Sequence, residues 1–160
     1  LASICGESRF NRATQSDVIG EFEKYITRDW ITEDKLKSSI ECFTISCFPI
    51  EGKYGVTREY KYSVADRYID VMDRIAERDP AGMRDSVLVM LIMQNYKEVM
   101  DEKLALKYIE LLKRISFQQV DGINAEFYTS NVGSPKVKKA VDELKEILKD
   151  YPVQDKTKNH

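Results

Sequence analysis

The chain has one histidine, and it is the final residue, His160. A histidine base, the hinge of the usual serine and cysteine triads, is therefore not expected. Cysteine is scarce as well: Cys5, Cys42 and Cys47 make no CxxC pair and have no histidine beside them, so a zinc site is not expected. Only 7 glycines and 4 prolines occur in 160 residues, which argues against a loop-rich fold and for helices. No glycine-rich phosphate loop and no nucleophile elbow is present. The longest apolar run, Val87 to Met93, has seven residues, far short of the roughly 20 a membrane-spanning helix needs. The net charge of −2 gives no overall basic field for nucleic acid or anionic lipid.

What is present is ordinary for a soluble domain: 42% hydrophobic and 32% charged residues, enough for one core. Residues 1–15 show no periodicity and read as a flexible lead-in; 16–151 read as a single helical domain; 152–160 read as a disordered tail. The chain starts at Leu1. A ragged terminus accounts for this better than a lipidated Cys5, because Ile4 is large for the residue before such a cut. Free thiols point to a reducing, cytoplasmic setting, while the missing Met leaves export open.

About six helices are expected. Ser16 caps the first, with Val18, Ile19, Phe22, Tyr25, Ile26 and Trp30 at helical spacing. Thr32 caps the second, with Leu36, Ile40, Phe43 and Cys47 on its apolar face and Pro49 ending it. On that helix Cys42 and Cys47 point about 140° apart and are not expected to pair. Ser63, with Asp66 three residues on, is expected to cap the third, whose apolar positions are Val64, Tyr68, Ile69, Val71, Met72 and Ile75. Asp79-Pro80 opens a fourth helix through Met100, apolar on all sides in its middle and so central. Asp101 caps the fifth, with Leu104, Leu106, Tyr108, Ile109, Leu111, Leu112 and Ile115. Ser134-Pro135 opens the last, with Val137, Ala140, Val141, Leu144, Ile147, Leu148 and Tyr151 on one side. The short junctions fold helices three to five back on one another as antiparallel hairpins. Two stretches break the pattern. Residues 49–62 read as an exposed loop with a short extended piece, and 117–133 as an irregular insertion with a turn at Asp121-Gly122.

Three helices carry a basic residue followed by Tyr-Ile, at Tyr25, Tyr68 and Tyr108, with spacings of 43 and 40 residues. The match extends from Tyr68–Ile75 to Tyr108–Ile115. A period of about 40–47 residues is that of HEAT and armadillo repeats, and the chain resembles them at this level of spacing. The fold is therefore all-α, either a short HEAT/armadillo-like α-solenoid or an irregular helical bundle.

Four groups could carry a function. The basic and aromatic stretch Lys53, Tyr54, Arg58, Tyr60, Lys61, Tyr62 has the residue types of binding hot spots; its plain alternative is tyrosines packed on the helices below. The insertion contributes Phe127, Tyr128 and Asn131, with a packed connector as the alternative. Asp70 and Asp73 share a helix face, but Arg67 and Arg74 lie at helical spacing, so a salt-bridged surface outweighs a carboxylate pair for metal or acid–base work. Met72, Met83, Met90, Met93 and Met100 read as core fillers. With no catalytic residue, metal ligand or cofactor signature, the expectation is a non-enzymatic protein-binding module. It would be an adaptor, or an inhibitor or immunity-type protein, and its contact residues would be Lys53, Tyr54, Arg58, Tyr60, Tyr62, Phe127 and Tyr128. The alternative is nucleic-acid binding on a HEAT-like face built from the 25 lysines and arginines. Less favoured is an enzyme using carboxylate or tyrosine chemistry.

Overall fold

The computed structural model describes residues 19–24, 40, 43–45, 47–48, 56–78 and 93–153. These residues are predominantly helical, with no strand among them. Four helices are labelled here: α1 Arg58–Arg78, α2 Glu102–Ile115, α3 Gln119–Thr129 and α4 Pro135–Leu148. A short 3₁₀ turn, Lys97–Val99, leads into α2. Among the described residues, no helix is long and apolar enough to cross a membrane.

Local chemistry starts two of these helices where expected. The Asp101 carboxylate accepts the Leu104 N–H at 2.8 Å, and the Ser134 hydroxyl accepts that of Val137 at 3.4 Å ahead of Pro135. Two expectations are corrected. Ser63 is not a cap: α1 starts at Arg58, because Thr57 accepts the Tyr60 N–H at 3.1 Å, so Arg58, Tyr60 and Tyr62 stand on its first turns and not in a loop. The stretch 117–133 is not irregular either, since α3 fills most of it. Asp121 and Gly122 form part of its first turn and are buried. Gly122 serves a close helix approach: a Cβ there would lie 2.9 Å from Lys145 Cγ and 3.5 Å from Lys145 Cα. The turn proper is at Gly133, whose φ of 65° is one that glycine adopts without steric cost.

Contacts set the helix directions. Arg58 and Lys61 reach Glu98, Tyr62 reaches Asp101, Lys107 reaches Asp66 and Asp70, and Arg114 reaches Asp73 and Glu77. Numbers rise together along both chains, so α1 and α2 run parallel. The printed steps between hydrogen-bonded partners are 40, 37, 39 and 41 residues. α4 also runs parallel to α2, for Glu102 meets Ser134 and Lys136 while Lys113 meets Glu143. α3 runs the other way against α4. Gln119 donates to the carbonyls of Lys149 and Tyr151, and Glu126 pairs with Lys145.

One continuous core joins these elements. It takes Tyr68, Ile69, Met72 and Ile75 from α1, Leu104, Tyr108, Ile109, Leu111 and Leu112 from α2, and Val137, Val141, Leu144 and Leu148 from α4. Each fully buried aliphatic chain stabilises by about 1.5–3 kcal/mol. Ile19, Phe22, Ile40, Phe43 and Cys47 belong to the same cluster, with Phe22 stacked on Phe43 at 4.3 Å and Phe43 on Tyr68 at 5.5 Å. Cys47 is buried. Met72, Met93 and Met100 are buried fillers, as expected. Of the fourth helix expected over 79–100, only Met93 to Met100 lies within the described residues. The repeat's first member, Tyr25, the remaining cysteines, and Met83 and Met90 lie outside them. Ile147 and Tyr151, expected on the apolar side of the last helix, are 47% and 40% exposed. Helix α4 ends at Leu148, before Pro152, and its buried line is Val137, Ala140, Val141, Leu144 and Leu148.

Candidate functional site

The expected contact residues separate into three kinds. Lys53 and Tyr54 lie outside the described residues. Arg58, Tyr60, Tyr62 and Tyr128 are tied into the fold. The Arg58 guanidinium donates to the Glu98 carbonyl at 2.8 Å, and the Tyr62 hydroxyl donates to Asp101 at 3.1 Å. Tyr60, Tyr62 and Tyr128 are partly buried against the core. Burial, then the hydrogen bond to Asp101, pushes the Tyr62 phenol up to about 12. Arg58 is exposed beside its hydrogen bond, and of the set's aromatic residues among those described only Phe127 stands out into solvent, 60% exposed.

Beside Phe127 lie residues the sequence reading did not single out. Ile123, one helical turn earlier on α3, is 61% exposed, so the two form an apolar crest. Lys97, from the 3₁₀ turn, sits over the Phe127 ring at 4.1 Å from its centroid, a cation–π contact worth about 0.5–1 kcal/mol at an exposed site. That contact places the two expected stretches at one edge: Arg58 grips the carbonyl of Glu98, and the adjacent Lys97 covers Phe127. The i, i+4 spacing of Ile123 and Phe127 carries this signal, and the turn residues Asp121-Gly122 beside it mask it.

On the other flank of α3 a half-open groove of about 460 Å³ runs to the start of α4. Val137 and Val141, each 3% exposed, form its floor, and Thr129, Ser130, Ser134 and Lys138 are among its walls. That volume falls in the lower half of the range of small-ligand pockets, about 300–1,000 Å³.

The paired carboxylates of α1 are structural in their contacts. Asp70 accepts Lys107 at 2.6 Å and Asp73 pairs with Arg114. The expected partners within the helix, Arg67 and Arg74, turn instead to Glu23 at 3.4 and 3.9 Å. A salt-bridged face is thus present, but it links neighbouring helices. Burial pulls the Lys107 ammonium down, and its hydrogen bonds to Asp66 and Asp70 outweigh that and leave it raised.

Tyr96 and Tyr108, buried like Tyr68, differ in their hydroxyl contacts. Tyr96 donates to the Cys47 carbonyl at 2.6 Å, whereas the fully buried Tyr108 hydroxyl has no hydrogen-bond partner among the described residues. Burial pushes both phenols well above the ordinary tyrosine range. Comparison with known families, curated proteins and solved structures found no match to this chain.

Proposed function

We propose that the chain is a short HEAT-like helical stack serving as a non-enzymatic protein-binding module, of the adaptor or inhibitor type. Support for the stack comes from two independent readings. The sequence match of Tyr68–Ile75 to Tyr108–Ile115 has a period of 40 residues, and α1 and α2 lie parallel with hydrogen-bonded partners 37 to 41 residues apart. Successive equivalent helices of such repeats lie side by side in this way. The outer side of α4, with Lys139, Asp142, Glu146 and Lys149 exposed, has the polar character of a terminal capping helix.

The observation that carries the binding reading is the pair Ile123 and Phe127, about three-fifths exposed on one helix. Large apolar side chains grouped beside a groove mark interaction sites more often than isolated ones do. The 25 lysines and arginines give less support to a nucleic-acid surface. Lys61, Arg67, Lys107, Lys113, Arg114 and Lys145 are engaged by carboxylates of the fold.

The test is affinity capture from a lysate of the source organism, followed by titration of the purified partner. An Ile123→Ser, Phe127→Ala double variant should fold normally and bind the partner at least ten times more weakly. Unchanged affinity would remove α3 from the interface. Nucleic acid bound at low salt and released steeply as salt rises would replace the protein-binding reading.

A further inference from the structure

If α3 meets another protein, the charges around it indicate what kind of segment it meets. At about 100° per residue, Glu126 and Ser130 flank the Ile123–Phe127 crest on the α4 side, and Tyr128 flanks it on the other. The carboxylates near this strip are already engaged. Glu126 pairs with Lys145. Glu102 accepts Ser134 at 2.5 Å and lies 3.8 Å from Lys136, and Glu98 pairs with Lys61 at 2.6 Å. Two lysines are left over. Lys97 rests on the Phe127 ring, and Lys138 lines the groove; among the described residues neither has a carboxylate within ion-pair distance. The apolar strip and its groove therefore carry two ammonium groups, Lys97 on the Phe127 ring and Lys138 at the groove, that no carboxylate among the described residues neutralises.

We propose that this strip docks an acidic amphipathic helix of a partner protein. One large apolar side chain of the partner would enter the groove over Val137 and Val141, and others would cover Ile123 and Phe127. Carboxylates at the edges of its apolar face would meet Lys97 and Lys138. The mode is helix-in-groove recognition, read through anchors at i, i+3, i+4 and i+7. Charge complementarity sets which helices are accepted more than how tightly they bind. The cation–π contact biases Lys97 and the Phe127 ring towards one arrangement before binding, which lowers the ordering cost by a fraction of that contact's small worth.

The test uses the full chain and three synthetic helical peptides with the same Leu and Phe anchors. Their remaining positions are Glu-rich, Lys-rich or Gln-rich, and binding is followed by amide chemical shifts and anisotropy. The Glu-rich peptide should bind at least ten times more tightly than the Lys-rich one, with the largest shifts at Ile123, Phe127, Val137 and Val141. A Lys97→Glu, Lys138→Glu double variant should reverse the order. Equal affinity for all three peptides, preference for the Lys-rich one, shifts centred elsewhere, or no binding by any would overturn the proposal. The captured natural partner separates this from the broader reading: if Phe127→Ala abolishes its binding and the lysine double variant does not, the acidic partner is wrong and protein binding at α3 stands.

Discussion

The flank between α1 and α2 and the crest of α3 both carry basic side chains and treat them in opposite ways. On the flank, Lys107 is held by Asp66 and Asp70, and Arg114 by Asp73 and Glu77. On the crest, Ile123 and Phe127 are exposed, and Lys97 lies against a ring instead of a carboxylate. The flank uses its side chains to fix helix register. The crest spends little on the fold, and that separates a structural surface from one free to bind.

Substitutions can sharpen this contrast. The largest effect is expected inside the stack, where Leu144, fully buried on α4, packs in the common core. Leu144→Ala should cost about 2–5 kcal/mol in urea unfolding, whereas Phe127→Ala should change stability by less than about 0.5 kcal/mol. Next is Gly122→Val at the close approach of α3 to α4. The added Cβ would be pressed against Lys145 and should destabilise by about 1–3 kcal/mol, seen as a lower urea midpoint.

The flank should respond more weakly. Lys107→Gln removes two ion pairs whose members are about a quarter to a half exposed, and should cost roughly 1 kcal/mol at low salt and less at high salt. The smallest effect is expected at Tyr108, whose buried hydroxyl has no hydrogen-bond partner among the described residues. Tyr108→Phe should be neutral or slightly stabilising, while Tyr96→Phe, which loses the bond to the Cys47 carbonyl, should cost about 1 kcal/mol. Thermal melts of the pair give the comparison directly.

Alkaline pH tests the junction of the two regions. The folded Tyr62 phenol is raised to about 12 from the ordinary 10.0, first by burial and then by Asp101. Its contribution is therefore complete below pH 10 and lost as pH rises from 10 towards 12. Tyr62→Phe should make that part of the stability profile shallower, leaving the slope that the raised Tyr96 and Tyr108 phenols contribute.

Much of the helical content could be read from residue order, because caps and periodicity are local. Asp101 and Ser134 begin α2 and α4 as their chemistry predicts, and the apolar lines at Leu104 to Ile115 and Val137 to Leu148 are the buried ones. Helix α3 escaped because its pattern runs against expectation. Asp121 and Gly122 face inward, while Ile123 and Phe127 face solvent. The start of α1 escaped because Val56, Tyr60 and Tyr62 have strand-like propensity, which the Thr57 cap and contacts to Glu98 and Asp101 override. The ion pairs of the flank join residues some 40 positions apart, beyond any helical-spacing rule. Only the Tyr-Ile match at 40 residues hinted at them. The site was therefore half legible: Phe127 was named from its residue type, while Ile123, Lys97 and the groove needed the fold.

The most direct test of the central claim is the affinity of the captured partner for two variants of equal folding, Phe127→Ala and Lys107→Gln. The account predicts at least a tenfold loss for Phe127→Ala and no change for Lys107→Gln. Loss at Lys107 with Phe127 indifferent would contradict it and move the interface to the flank of α1 and α2.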